Sequence, residues 1–236
     1  MTLEICAANF QSAMAAMQGG AHRIELCENL SEGGTTPSLG MIRHLKRRLN
    51  IPIMVLIRPR GGDFCYQPDE LAVMLEDIHI CKSEGVEGVV LGALAPDGTI
   101  DTEACYRMLD AAQGMETVFH RAFDLVPDEM EALKILVYMG FTRILTSGLA
   151  HTAFEGIPNL VRLIREAQER ITILPGGGIT SQNALAIAKK TGATELHASL
   201  RKRVERTTGR ATSTWMETDV EEVRRLLKIT ENASKI

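Results

Sequence analysis

Residues 1–27 read MTLEICAANFQSAMAAMQGGAHRIELC, and they contain one complete strand–helix–strand repeat. Two short apolar runs, Leu3–Cys6 and Arg23–Cys27, have the length and composition of buried β-strands. Gly20 lies between the helical segment and the second strand, where a glycine in the left-handed conformation commonly ends a helix. The same repeat recurs along the chain and determines the predicted fold.

Six further strands are predicted after this repeat. They are Ile53–Ile57, Gly88–Gly92, Val118–His120, Arg143–Thr146, Ile171–Leu174 and Glu195–Ala198. Helices are predicted at Pro68–Glu84, Asp128–Met139, Asn159–Arg170 and Ser181–Lys190. Eight β-α repeats in 236 residues predict an α/β fold, a single (β/α)8 TIM-type barrel in which residues 1–236 form one domain. The competing layout is an open doubly wound sheet, but the first β-α turn lacks a G-x-G-x-x-G fingerprint. We therefore expect the barrel and no organic cofactor.

The segment after strand eight differs in character from the rest of the chain. Residues Leu200–Glu217, LRKRVERTTGRATSTWME, are mostly polar and predict a long loop that is either a lid or disordered. Thr218 and Glu221 then form a capping-box pattern, which predicts the start of the last helix.

Composition excludes several classes of function. The net charge of −4 provides no basic surplus for nucleic acid, and an aromatic content of 4% leaves few side chains on which bases could stack. The chain has no signal-peptide pattern and no apolar run near the roughly 20 residues of a membrane span. Its five scattered cysteines fit reduced thiols. We expect a cytoplasmic protein without nucleic-acid or membrane partners.

Alternation along the strands predicts an unusually polar barrel interior. The ionisable residues predicted to face inward are Glu4, Glu25, Arg58, His120 and His197. Buried charges need partners, and Arg58 is the partner that we expect for the two glutamates. Two interpretations remain open: a structural ion-pair network, or an active site at the C-terminal ends of the strands. In the second, His120 would be a general acid or base.

The pattern Glu-apolar-Cys occurs twice, at residues 4–6 and 25–27. Adjacent parallel strands about 4.8 Å apart would place Cys6 and Cys27 side by side. Two close thiolates are soft donors that suit Cu(I). The alternative is that both cysteines are small buried packing residues.

A glycine-rich turn, PGGGITSQN at residues 175–183, follows strand seven. Its backbone can approach a ligand closely, and the helix that follows presents free N–H groups to an anion. Phosphate sites are common at this position in barrels. The alternative is an ordinary tight turn. The predicted binding residues here and after strand eight are Gly176, Gly177, Gly178 and Ser199.

Several motifs together resemble the CutC family of copper homeostasis proteins. They are EIC (4–6), RIELC (23–27), EGGTTPSLG (32–40), IRPRGGDFCY (57–66), FHRAFD (119–124), RILTSG (143–148) and ELHASL (195–200). The resemblance covers most of the chain, from about Leu3 to Leu200. It implies an eight-stranded barrel, a cytoplasmic homo-oligomer (a dimer or tetramer) and a role in copper handling. It also implies that Cys6 and Cys27 correspond to the cysteines proposed to bind Cu(I) in this family.

Two hypotheses for the function follow. One is a copper-binding protein that holds Cu(I) through Cys6 and Cys27. The other is a barrel enzyme (a lyase, isomerase or hydrolase) that acts on a small phosphorylated or anionic metabolite. There Arg58 would clamp the anion and residues 177–179 would cradle a phosphate. Fold alone does not determine the reaction, so both remain open.

Overall fold

The computed structural model describes residues 1–233, in which eight parallel strands form one curved sheet. The strands are β1 Thr2–Ala7, β2 Arg23–Leu26, β3 Ile53–Leu56, β4 Gly88–Leu91, β5 Glu116–Phe119, β6 Arg143–Thr146, β7 Thr172–Pro175 and β8 Glu195–Ala198. The sheet order is β7-β6-β5-β4-β3-β2-β1-β8, and a parallel bridge between Gly176 and His197 brings β7 and β8 together. This arrangement confirms the predicted (β/α)8 barrel. That residues 1–236 form one domain stays a prediction, and residues 234–236 lie outside the described part of the chain.

Helices surround the sheet. They are α1 Phe10–Gly19, α2 Leu39–Lys46, α3 Pro68–Ser83, α4 Thr102–Ala111, α5 Glu129–Met139, α6 Ile157–Ala167, α7 Ala184–Thr191 and α8 Val220–Ala233, with 3-10 turns at Leu30–Glu32 and Arg121–Leu125. Gly20 ends α1 with φ 92°, and its N–H bonds the carbonyls of Ala16 and Met17. Helix α7 begins three residues after the predicted Ser181, because Thr180 N–H donates to Asn183 Oδ1 in a turn that precedes the helix.

Two apolar layers hold the barrel together. One side of each strand packs against the helices, as the fully buried Leu3, Ile5 and Ile24 do. The opposite side fills the interior, with Cys6, Cys27, Met54, Leu56, Val90, Val118, Leu145 and Leu174. Each fully buried Leu or Ile side chain stabilises the fold by about 1.5–3 kcal/mol relative to an exposed one. The predicted alternation of inward and outward residues along strands one to three is confirmed.

Most of the polar segment predicted as a loop after strand eight forms an antiparallel hairpin. Its strands are β9 Arg201–Thr208 and β10 Ala211–Thr218, and Gly209 provides the positive φ of 63° in the turn. Threonine-rich alternating segments favour extended structure, because β-branched side chains fit a pleated surface. Thr218 therefore ends β10 and does not cap α8; Asp219 Oδ1 instead accepts a hydrogen bond from Glu221 N–H at 3.1 Å.

None of the helices in the described part of the chain is long and apolar enough to cross a lipid bilayer.

Candidate functional site

A cavity of about 250 Å³ opens at the C-terminal ends of the strands. The predicted site residues that line it are Cys6, Glu25, Arg58, His120, Gly177, Gly178, His197 and Ser199. Three other predicted residues, Glu4, Cys27 and Gly176, are not part of its lining. The tertiary structure therefore brings together residues that are spread over almost the whole length of the chain.

Cys6 and Cys27 lie on neighbouring strands, with their sulfur atoms 3.6 Å apart. Both are reduced thiols, since a disulfide would need an S–S distance of about 2.05 Å. Cys6 is 5% exposed and reaches the cavity, whereas Cys27 is completely buried behind it. The hydrogen bond with Cys27 and then burial raise the pKa of the Cys6 thiol well above its ordinary value.

His197 lies between two buried carboxyl groups. Its Nδ1 is 2.7 Å from Glu4 Oε1 and 3.4 Å from Glu25 Oε2. Burial alone would lower the pKa of His197, but the neighbouring Glu25, Cys6 and Glu4 raise it well above its ordinary value. Burial raises the pKa of Glu25 to about 7. The group therefore holds an imidazolium against one ionised carboxylate and one that titrates near neutrality.

Glu4 belongs to a network of ion pairs near the N-terminal ends of the strands. Arg23 binds both Glu4 and Glu195, the latter at 2.5 Å, and Arg143 lies 2.9 Å from Glu195. Arg143 also pairs with Glu116. Burial by itself would raise the pKa of Glu4, but the hydrogen bond with His197 and the charge of Arg23 lower it to about 2.

The expectation that Arg58 would be the partner of the buried glutamates is wrong. Its Nη1 donates to the carbonyls of Glu32 and Gly34 at 2.7 and 2.8 Å, and its Nη2 donates to Gly62 O at 2.7 Å. The guanidinium also lies over the Phe64 ring, 4.8 Å from its centroid. Arg58 follows the end of β3, so its side chain reaches the loops at the mouth of the cavity. The partner of Glu4 is instead Arg23 on the adjacent β2.

Sequence reasoning missed Arg23, although the signal was present. Arg23 precedes Glu25 by two residues on the same strand, so the alternation that turned Glu25 inward also turns Arg23 inward. The ion-pair interpretation therefore holds for Glu4, whereas an active site at the strand ends stays a prediction. Glu4 is part of an ion-pair network, while Glu25 and His120 line the cavity.

His120 is buried in the cavity wall, where it is 5% exposed. Its Nδ1 accepts a hydrogen bond from Ala122 N–H at 3.3 Å, so the neutral ring carries its proton on Nε2. Burial, and next the positive charge of Arg58, lower the pKa of His120 to about 3. At neutral pH the ring is uncharged and presents an N–H donor.

The structure also identifies residues that could hold a metal ion. Cys6, Glu25 and His197 each offer one ligand atom, and these atoms all lie within 4.8 Å of one another. Cys27 adds a second sulfur next to Cys6. Glu4 Oε1 lies 2.7 Å from His197 Nδ1 and fixes the orientation of the ring. The mutually close donors are thus one sulfur, one imidazole nitrogen and one carboxylate oxygen, with the Cys27 sulfur beside Cys6 but outside that group.

The chain matches the model of the CutC family over residues 1–202. It is 49% identical to the human copper homeostasis protein cutC homolog over 199 residues, which cover 84% of this chain and 73% of the human protein. It is 44% identical to a CutC family protein of Treponema denticola over 87% of this chain and 84% of that protein.

Among solved structures, the CutC protein of Streptococcus agalactiae superposes with a TM-score of 0.81 at 39% identity, covering 84% of this chain and 98% of that one. A thiamine phosphate pyrophosphorylase of Pyrococcus furiosus superposes with a TM-score of 0.62 at 16% identity, over 98% of this chain and 96% of that one, a likeness that concerns the fold alone.

Proposed function

Since this chain belongs to the CutC family, we propose that it takes part in copper homeostasis by binding Cu(I) through Cys6 and Cys27. The observation that carries this proposal is the pair of reduced thiols whose sulfur atoms are 3.6 Å apart, one of them reaching the cavity. Copper homeostasis is named for the human and mouse relatives, which are 49% and 48% identical to this chain.

The donor set fits a soft metal ion. Two metal–sulfur bonds of about 2.3 Å each place the sulfurs at most about 4.6 Å apart, so a separation of 3.6 Å allows both to share one ion. Thiolates select Cu(I) over hard cations. His197, oriented by Glu4, supplies a third donor, and Glu25 supplies an oxygen that a soft ion would use least.

Metal binding at this site has to release protons. The Cys6 pKa and the His197 pKa are both raised well above their ordinary values, so these groups are protonated at neutral pH. A coordinating cysteine must be a thiolate and a coordinating histidine must be neutral. The release of these protons couples copper affinity to pH.

The test is an anaerobic Cu(I) titration against a competing chromogenic chelator. We expect the wild-type protein to bind one equivalent and both Cys6→Ser and Cys27→Ser to lose this binding. Cys65→Ser is the matched control, because Cys65 is a free, partly exposed thiol that does not line the cavity.

Loss of binding in Cys65→Ser, or binding that is unchanged in both Cys6→Ser and Cys27→Ser, would contradict the proposal. A parallel Zn²⁺ titration tests selectivity, since two sulfurs, one nitrogen and one oxygen could also surround zinc. Zinc binding tighter than Cu(I) binding would reassign the metal while leaving the ligands in place.

The proposal includes a cytoplasmic homo-oligomer, either a dimer or a tetramer. The reduced state of all five cysteines fits a reducing compartment. Light scattering coupled to gel filtration measures the oligomer, and a monomeric mass at micromolar concentration would contradict this part of the proposal.

A further inference from the structure

The wall of the cavity also has binding groups other than the thiols, Glu25 and His197. They follow strands β5, β7 and β8, whereas Cys27 and Glu25 belong to the β2 side of the barrel. Residues 177–179, Arg121 and Ser199 all line this part of the wall. The Cu(I) proposal assigns none of them a role.

The turn after β7 presents a run of free backbone donors. The N–H groups of Gly178 and Ile179 donate no hydrogen bond to any described residue. Gly177 and Gly178 have φ values of 103° and 72°, a conformation that side chains disfavour. Successive amides in such a turn form a concave site for an anion.

A positive charge lies directly against this turn. A Cβ atom on Gly177 would be 3.5 Å from both Cζ and Nη1 of Arg121. Arg121 is held in place from the other side, because Nε donates to Asp124 at 2.7 Å and Nη2 donates to Ser147 at 2.9 Å. Nη1 makes no hydrogen bond with any described residue, so it is the donor left for a ligand.

Two further groups of the wall are also unused. His120 Nε2 is buried, carries the ring proton and has no hydrogen-bond partner among the described residues. An unsatisfied buried donor destabilises the protein, and a bound ligand that accepts from it would remove this penalty. The Ser199 hydroxyl likewise makes no hydrogen bond with any residue that the structure describes.

We propose that this cavity binds a small phosphate monoester. The phosphoryl group lies on the amides of Gly178 and Ile179, next to Arg121 and Ser199, and an oxygen at the other end of the ligand accepts from His120 Nε2. A volume of about 250 Å³ lies just below the range of about 300–1,000 Å³ for drug-sized ligands. The cavity therefore takes an ester with a few carbon atoms and excludes a nucleotide.

The first measurement is calorimetric titration of the metal-free protein with glycerol 3-phosphate as the probe ester. Inorganic phosphate and glycerol are titrated in parallel, and they represent the two ends of the ester. We expect the ester to bind more tightly than phosphate and glycerol to show no binding. We expect Arg121→Gln to weaken ester binding at least tenfold, since a charged hydrogen bond is lost. The matched control is Arg162→Gln, which removes an exposed arginine that does not line the cavity and leaves binding unchanged.

Ser199→Ala keeps the test decisive if Arg121→Gln unfolds, because the Ser199 hydroxyl makes no hydrogen bond within the described residues. We expect this variant to bind the ester about threefold to tenfold more weakly. No binding of the ester at millimolar concentration would overturn the proposal. So would equal binding of sulfate, phosphate and ester, or full affinity in both variants. Cys6→Ser should retain ester binding, so failure of the phosphate site and failure of the copper site are distinguishable.

Discussion

Substitution of Arg23 by methionine tests the ion-pair network beneath the cavity. Arg23 is 5% exposed and binds Glu4, which is 1% exposed, and Glu195. Removing one partner of a buried pair costs about 3–5 kcal/mol, because the other charge stays buried without compensation. Glu195 keeps Arg143 and Glu4 keeps His197, so we expect the lower end, about 3 kcal/mol of unfolding free energy.

The assay is urea unfolding followed by circular dichroism, with linear extrapolation to water. Arg43→Met is the matched control, because Arg43 pairs with Glu84 at the surface and its side chain is 49% exposed. An exposed pair of this kind contributes less than about 1 kcal/mol. The double variant Arg23→Met with Glu4→Gln should be less destabilised than the sum of its single changes, since no unpaired carboxylate remains.

The pH dependence provides a second check. The Glu4 pKa is about 2 against an ordinary 4.5, so the native state binds fewer protons than the unfolded state between these values. The stability that Glu4 contributes is therefore present above pH 4.5 and is lost as the pH falls toward 2. Without Arg23 the Glu4 pKa rises, and the difference between wild type and variant should shrink in acid. If Arg23→Met lowers the free energy of unfolding by less than about 1 kcal/mol at pH 7, or by no more than Arg43→Met does, the role of Arg23 is refuted.

Three further predictions follow from other parts of the molecule. His120 has a pKa of about 3 against an ordinary 6.5, so the native state binds fewer protons than the unfolded state between these values. The stability that neutral His120 contributes is therefore present above pH 6.5. It falls by at most about 1.4 kcal/mol per pH unit as the pH drops toward 3. Urea unfolding at pH 7 and 5 should show that the free energy of unfolding decreases less in His120→Gln than in the wild-type protein. An equal decrease in both proteins would exclude this titration. Gly88→Ala should cost about 1–3 kcal/mol, because its Cβ would lie 2.6 Å from the backbone oxygen of Glu116. Gly40→Ala, with no atom within 4 Å of its Cβ, should cost nothing in the same assay. The apparent Cu(I) affinity should rise at least tenfold per pH unit between pH 6 and 8, because Cys6 must lose its proton. An affinity that does not change over this range in chelator competition would rule out a thiolate ligand at Cys6.

The barrel was predictable because its signals are local. Strand β6 Arg143–Thr146 and strand β8 Glu195–Ala198 have the predicted bounds, and other strands differ by one or two residues at their ends. Period-two alternation depends only on the extended backbone, so it predicts Glu4 and Cys6 on one face without any knowledge of tertiary contacts. Glycines with positive φ end helices for the same local reason.

The candidate site was only partly predictable. The sequence placed residues on the inner face, but it did not show which charges meet. Arg23 reaches Glu195, which is 172 residues away along the chain, only because β8 pairs with β1 and so stands close to β2. The sequence predicts that Arg58 pairs with the glutamates because it is an inward arginine, yet three backbone carbonyls hold it at the mouth.

The sequence by itself determined the eight strands of the barrel, their inward faces, the placement of two thiols on adjacent strands and the family, but not the two strands of the hairpin after β8. Each of these follows from local periodicity or from motifs that are contiguous in the chain. Only the tertiary structure decided that His197 lies between Glu4 and Glu25, that Arg121 lies against Gly177, and that His120 has no partner for its proton. The physical reason is that the pKa and the hydrogen bonding of a buried group depend on the few atoms around it, and closure of the barrel brings those atoms from distant strands.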